Sequence, residues 1–259
     1  MICRDKTAAA MKKALLTAAA AALILAAGAA CAAGAPIAGG ASAEDINETN
    51  NENTIKEYEE PMKYTVACVG DSLTFGMGAQ DPVAESYPAV LASLDGKYKF
   101  ETEKYGHSGA TVDYVGWLPF AGTEEYADSL KTQADIVLLM LGTNDTVFSQ
   151  NRDIFPENFE KMVSTYVGLP CKPRVIVLLP PHFFNDGPML QASIANLETV
   201  IEQEKQVAAK LGLDTIDVYS LTEGRSDLSP DGVHFTAEGY KVLARFVYDE
   251  LGKILDGAK

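Results

Sequence analysis

The run Ile-Val-Leu-Leu-Met-Leu at Ile136 to Leu141 is apolar at every position, so both of its faces need cover at once. Short runs rich in β-formers also occur at Tyr64 to Val69 and Arg174 to Leu179, with weaker ones at Tyr98 to Glu103 and Asp214 to Val218. Helical patterns fall between and after them, at Ser86 to Leu94, Glu125 to Thr132, Pro156 to Val167, Leu190 to Leu211 and Thr236 to Leu255. Strand and helix therefore alternate along the chain. Alternation with doubly buried strands predicts an α/β fold, a three-layer α/β/α flavodoxin-like sandwich around a five-stranded parallel sheet.

The folded part is expected over residues 62–259, long enough to bury one sizeable core. Ahead of it, Met11-Lys12-Lys13 and the small, apolar stretch Ala14 to Ala30 have the pattern of a secretory signal, with residues 1–10 an upstream extension and cleavage near residue 30. Cys31 follows Gly28-Ala29-Ala30, which resembles a lipobox except that Gly28 stands where Leu, Val or Ile is usual. Lipidation of Cys31 would hold the exported protein at the bacterial cell surface; plain secretion is the alternative. Residues 31–61 are small, polar and acidic and cannot offset their own ordering entropy, so they read as a flexible acidic tether.

A formal charge of −15 argues against nucleic acid and anionic membrane surfaces as partners, leaving the anchor at Cys31 as the membrane attachment. Loss of the signal leaves Cys31, Cys68 and Cys171, an odd number without metal-type spacing. No disulfide framework and no metal site is expected, and Cys68 and Cys171 read as buried small hydrophobes toward opposite edges of the sheet.

In a parallel sheet of this kind ligands bind beyond the carboxyl ends of the strands. The segments Gly70-Asp71-Ser72-Leu73, Gly106-His107-Ser108-Gly109 and Gly142-Thr143-Asn144-Asp145 follow strands, and Asp231-Gly232-Val233-His234 precedes the last helix. Ser72 opens a helical segment, which aims its hydroxyl into the crevice and its N–H at a developing oxyanion; a plain capping serine is the alternative. His234 is one of three histidines. Its spacing from Asp231 lets the carboxylate accept from Nδ1–H while Nε2 faces a nucleophile, although an isolated pair could equally be a capping Asp beside an exposed histidine. Asn144 offers a side-chain amide and Gly109 an unobstructed backbone N–H, both suited to an oxyanion and both also turn residues.

Together the four segments resemble the SGNH, or GDSL-type, hydrolase family, over roughly Met62 to Lys259. The resemblance implies that Ser72 is the nucleophile, His234 the base and Asp231 its orienter. It likewise implies an oxyanion hole of Ser72, Gly109 and Asn144, and acyl transfer with no metal or other cofactor. The family's second block often begins Asn-x-Gly, whereas Tyr105 precedes Gly106 here. Gly-His-Ser-Gly-Ala-Thr with Trp117 and Pro119, and Pro180-Pro181, look most like members that remove acetyl groups from carbohydrates. The expected partner is thus an acylated small molecule or glycan, with Trp117 either a stacking face or a core residue and His182 either at the pocket rim or structural. His107 has no assigned role. A lysophospholipase or thioesterase is the enzymatic alternative, and an inactive glycan-binding surface module is the alternative from another class.

The anchor is checked by growing an expressing bacterium on labelled fatty acid: label is expected in the wild-type protein and absent from Cys31→Ala. Equal labelling of the two, or label in neither, refutes lipidation at Cys31.

Overall fold

The computed structural model describes residues 60–149, 152–184 and 188–257. The signal, Cys31 and nearly all of the tether lie outside the described residues. Five strands form one sheet: β1 (Met62–Gly70), β2 (Tyr98–Gly106), β3 (Ile136–Met140), β4 (Arg174–Leu179) and β5 (Asp214–Asp217). All pairings are parallel and the order is β2-β1-β3-β4-β5. That is the flavodoxin-like arrangement, in which the chain leaves β1 toward one edge and returns as β3 on its other side.

The longer helices are α1 (Tyr87–Ser93), α2 (Glu124–Ser129), α3 (Phe155–Val167), α4 (Pro188–Leu211) and α5 (Ala237–Gly257). Alternation along the strands sorts the core into two layers. Val66 and Cys68 of β1, Ile136, Leu138 and Met140 of β3, and Ile176 and Leu178 of β4 pack toward Tyr87 and Leu91 of α1 and Tyr240, Leu243 and Val247 of α5. Ala67, Val69, Val137, Leu139, Val175 and Val177 face the other way, toward Phe159, Met162 and Val163 of α3 and Leu197, Val200 and Ile201 of α4. Each fully buried Val, Leu, Ile or Phe is worth roughly 1.5–3 kcal/mol of transfer free energy, which explains why these strands tolerate almost no polar residue.

The observed boundaries differ from the sequence reading where polar residues break the pattern. Strand β2 runs three residues beyond Glu103 and pairs with β1 from Tyr98 to Gly106. As an edge strand it carries Glu101, Glu103 and Lys104 without needing a continuous apolar face. Helix α2 stops at Ser129, earlier than its periodicity predicts, and the Thr132 Oγ1 then accepts from Ala134 N at 3.0 Å. Cys68 is buried on β1, but Cys171, ahead of β4, is only half-buried, a correction to the expected burial of both. Both thiols are free, with β3 between their strands. Among the described residues no helix is long and apolar enough to cross a membrane.

Candidate active site

The reversal of strand order between β1 and β3 opens a crevice beyond their carboxyl ends, and the loops leaving β1, β2 and β3 meet there. Ser72 begins the helical turn Ser72–Phe75 directly after β1. The cap of that turn is Asp71, whose Oδ1 accepts from Leu73 N at 2.9 Å. Ser72 is therefore not consumed as a cap. Its Oγ lies 3.0 Å from His234 Nε2, and it is only 2% exposed.

His234 is oriented from the other side. Its Nδ1 lies 2.7 Å from Asp231 Oδ2, while Asp231 Oδ1 accepts from Val233 N at 2.9 Å and His234 N at 2.7 Å. One carboxylate thus fixes both the ring and the backbone of the short loop that carries it. Partial burial pushes the Asp231 pKa up, but the His234 and Val233 N–H donors and the imidazole outweigh this and hold the group below the usual carboxylate range.

Gly109 has φ +82°, a left-handed conformation that suits glycine, and a Cβ there would come 3.3 Å from Leu118 Cδ2. Its N–H has no acceptor among the described residues. Asn144 closes the same region from β3: its Nδ2 donates to Ala110 O at 3.0 Å and makes a longer contact of 3.3 Å with Asp71 Oδ2. The four segments singled out in the sequence are therefore brought together: Ser72, His234 and Asp231 form one hydrogen-bonded chain, and Asn144 bridges Asp71 beside Ser72 and Ala110 beside Gly109.

Two buried carboxylates hold this assembly and had no role in the sequence reading. Asp145, fully buried, accepts from Val112 N with both oxygens, at 3.0 and 3.1 Å, and so clamps the loop after β2 to the turn after β3. Burial pushes its pKa up to about 7 against the opposing Val112 N–H, with the Asp113 and Asp71 charges adding to the rise. Asp71 is likewise pushed up to about 6 by burial, against the Leu73 N–H and the nearby imidazole. Each follows a motif residue at a helix start, where an Asp reads as an ordinary cap; the long-range partner of Asp145 leaves no local signal.

The remaining sequence candidates fall around the rim. Trp117 is exposed, not core, and stacks on Phe148 with ring centroids 5.0 Å apart. The loop presenting it is tied by Thr111, whose Oγ1 donates to Trp117 O at 2.7 Å and whose N donates to Leu118 O at 3.1 Å. His107 follows β2, donates its N–H to Gly70 O at 3.0 Å and pairs through Nδ1 with Glu125 at 2.8 Å. His182 stacks on Tyr219 at 3.6 Å, and its N donates to Thr222 Oγ1 at 2.9 Å. Its loop reaches the crevice through Phe184, whose N donates to Gly232 O at 2.9 Å.

Residues 68–242 match the family model described as the GDSL-like lipase/acylhydrolase family. An acetylxylan esterase from Xylanibacter ruminicola is 25% identical, across 70% of this chain and 42% of its own length. A multidomain esterase from Ruminococcus flavefaciens is 26% identical, across 71% of this chain and 28% of its own. The chain thus spans less than half the length of these curated relatives. Among solved structures, a candidate arylesterase from Agrobacterium tumefaciens is 27% identical with a TM-score of 0.57, covering 73% of this chain and 99% of that one. A carbohydrate acetylesterase from Sinorhizobium meliloti, 22% identical, shares the fold with a TM-score of 0.57 over 73% of this chain and 99% of its own.

Because the folded-state pKa values of Asp71 and Asp145 are raised, to about 6 and about 7, they favour the folded state most when protonated. That stability is present below about pH 4, the unfolded value, and is lost as the pH rises through the folded values. Thermal melts are expected to show the wild type losing stability from about pH 4 to about pH 7, by an amount on the order of a few kcal/mol. Asp145→Asn, which cannot ionise, is expected to flatten part of that slope; an unchanged slope contradicts the assignment.

Proposed function

The chain belongs to the GDSL-like lipase/acylhydrolase family, and from that premise we propose that it is a serine esterase that removes small acyl groups, acetyl above all, from carbohydrate. The observation that carries this reading is the continuous hydrogen-bond chain from Ser72 Oγ through His234 to Asp231, at 3.0 and 2.7 Å. In the proposed reaction His234 Nε2 takes the Ser72 proton as Oγ attacks the ester carbonyl. Asp231 keeps the proton-bearing Nδ1 turned toward itself and stabilises the imidazolium that forms. Negative charge on the carbonyl oxygen is met by the N–H groups of Ser72 and Gly109 and by Asn144 Nδ2, whose longer contact with Asp71 is the more easily exchanged for an oxyanion. His234 then passes its proton to the departing alcohol. In the second half-reaction it draws a proton from water, which attacks the acyl-enzyme and frees the acid and Ser72.

The multidomain esterase supports ester hydrolysis alone; the carbohydrate substrate is supported by one relative, which is an acetylxylan esterase by name. It is supported too by the Trp117–Phe148 stack, an exposed aromatic face whose indole nitrogen lies 3.9 Å from where a Cβ on Gly109 would sit. We further propose export, with anchoring through Cys31, which suits a polymeric substrate outside the cell.

Ser72→Ala and His234→Ala are expected to lower kcat for p-nitrophenyl acetate by roughly 10⁴-fold or more, with Asp231→Asn costing about a hundredfold less than His234→Ala and all three melting like the wild type. Activity kept by Ser72→Ala refutes Ser72 as the nucleophile, and absence of activity from the wild type on every ester refutes the esterase reading. Along a chain-length series the wild type is expected to prefer acetate; a preference for palmitate would favour the lysophospholipase-type alternative.

A further inference from the structure

Helix α4 passes behind the turn that carries Asn144 and touches it at two levels. Asn196 Nδ2 donates to Thr146 O at 3.0 Å. Two turns further along, the Glu204 carboxyl sits against Gly142: a Cβ on that glycine would lie 2.5 Å from Glu204 Oε1 and 3.0 Å from Val200 Cγ1. The carboxyl thus takes the place that a side chain at 142 would fill. Gly142 also has φ +104°, so the turn requires glycine both for its backbone and for the space that Glu204 enters. From Gly142 the turn closes through its carbonyl, which accepts from Asp145 N at 3.1 Å, with Asn144 held inside the loop so formed.

Glu204 is wholly buried, and neither carboxyl oxygen has a hydrogen-bond partner among the described residues. An ionised carboxylate in such surroundings carries a desolvation cost that no partner offsets. The charged groups facing it are Asp145, whose N–H closes the Asn144 turn, and Asp71, which follows β1; both are negative when ionised and oppose a third charge. Burial first, and then these two carboxylates, push the Glu204 pKa well above the ordinary range. A leucine or methionine would fill the same space with no polar group to desolvate, so packing alone does not account for a carboxyl here.

We propose that Glu204 is a positioning residue for acyl transfer: its protonated carboxyl braces the Gly142 turn so that Asn144 is held toward the oxyanion, and its ionisation releases that turn. The inference rests on the reading of Asn144 as an oxyanion donor. Ionisation gives the proton to solvent and leaves a third negative charge behind Asn144. Repulsion from Asp145 and Asp71, and the demand of the new charge for water, then work against the contact between α4 and the turn. The same charge opposes the developing oxyanion, so the loss falls on kcat rather than KM.

The test follows two signals in the full chain from neutral to alkaline pH: kcat and KM for p-nitrophenyl acetate, and the side-chain amide NMR resonance of Asn144, identified by its absence from Asn144→Ala. In the wild type kcat is expected to fall about tenfold at constant KM, less than complete loss of an oxyanion donor, while the Asn144 resonance shifts over the same interval. Glu204→Gln, whose amide mimics the protonated acid, is expected to remove both transitions. Should that variant not fold, Glu204→Met, of similar length and unable to ionise, is expected to remove them too. Variant profiles and Asn144 shifts that superimpose on those of the wild type overturn the proposal. A wild type inactive on every ester would sink the esterase reading instead, and the Asn144 shift would still decide the role of Glu204.

Discussion

Burial of both faces of β1, β3 and β4 is the constraint on which the rest of the structure depends. With Val66, Cys68, Ile136 and Leu138 turned to one helical layer and Ala67, Val69, Val137 and Leu139 to the other, the strands have no polar face to show water. They must lie parallel, with helical crossovers covering each side, and the chain must change direction between β1 and β3. The crevice left there is where strand ends and helix starts converge. Ser72, Gly109 and Asn144 come within reach of one another because each follows a strand, and His234 reaches them from the loop that precedes α5.

The site is held from beneath by acids that the apolar layers have pulled out of water. Asp71 caps the turn bearing Ser72 and touches Asn144; Asp145 joins the Gly109 loop to the Asn144 turn; Glu204 fills the gap behind Gly142. Asp71 and Asp145 offset part of their desolvation with backbone N–H donors, whereas Glu204 has no such partner among the described residues. Asp71 and Asp145 thereby tie the segments after β1, β2 and β3 to one another. Positioning of this kind matters because oxyanion donors act through placement, and a donor that must reorganise during reaction loses much of its value.

How far the sequence disclosed this depended on the range of each interaction. Strands β1, β3 and β4 were legible because continuous apolar runs admit no other placement, while the polar end of β2 was hidden because an edge strand escapes that rule. Ser72, Asp231 and His234 could be named from motif spacing, and the local bonds from Asp231 to Val233 and His234 agree with the expected loop geometry. Asp145 leaves no sequence signal because its partner, Val112, is thirty-three positions away. Glu204 is indistinguishable in sequence from a surface residue, because a glutamate within a helical pattern ordinarily faces solvent. Trp117 reads from sequence as either a stacking face or a core residue because its partner, Phe148, comes from the helical turn after β3. His182 likewise has its stacking partner, Tyr219, on an element remote in sequence.

The central claim is that Ser72 is an activated nucleophile. It is tested most directly by treating the full chain with a fluorophosphonate and mapping the modified peptide by mass spectrometry. A single covalent adduct on Ser72, formed far more slowly in His234→Ala, is the expected result. No adduct on the wild type, or one that persists in Ser72→Ala, would contradict it.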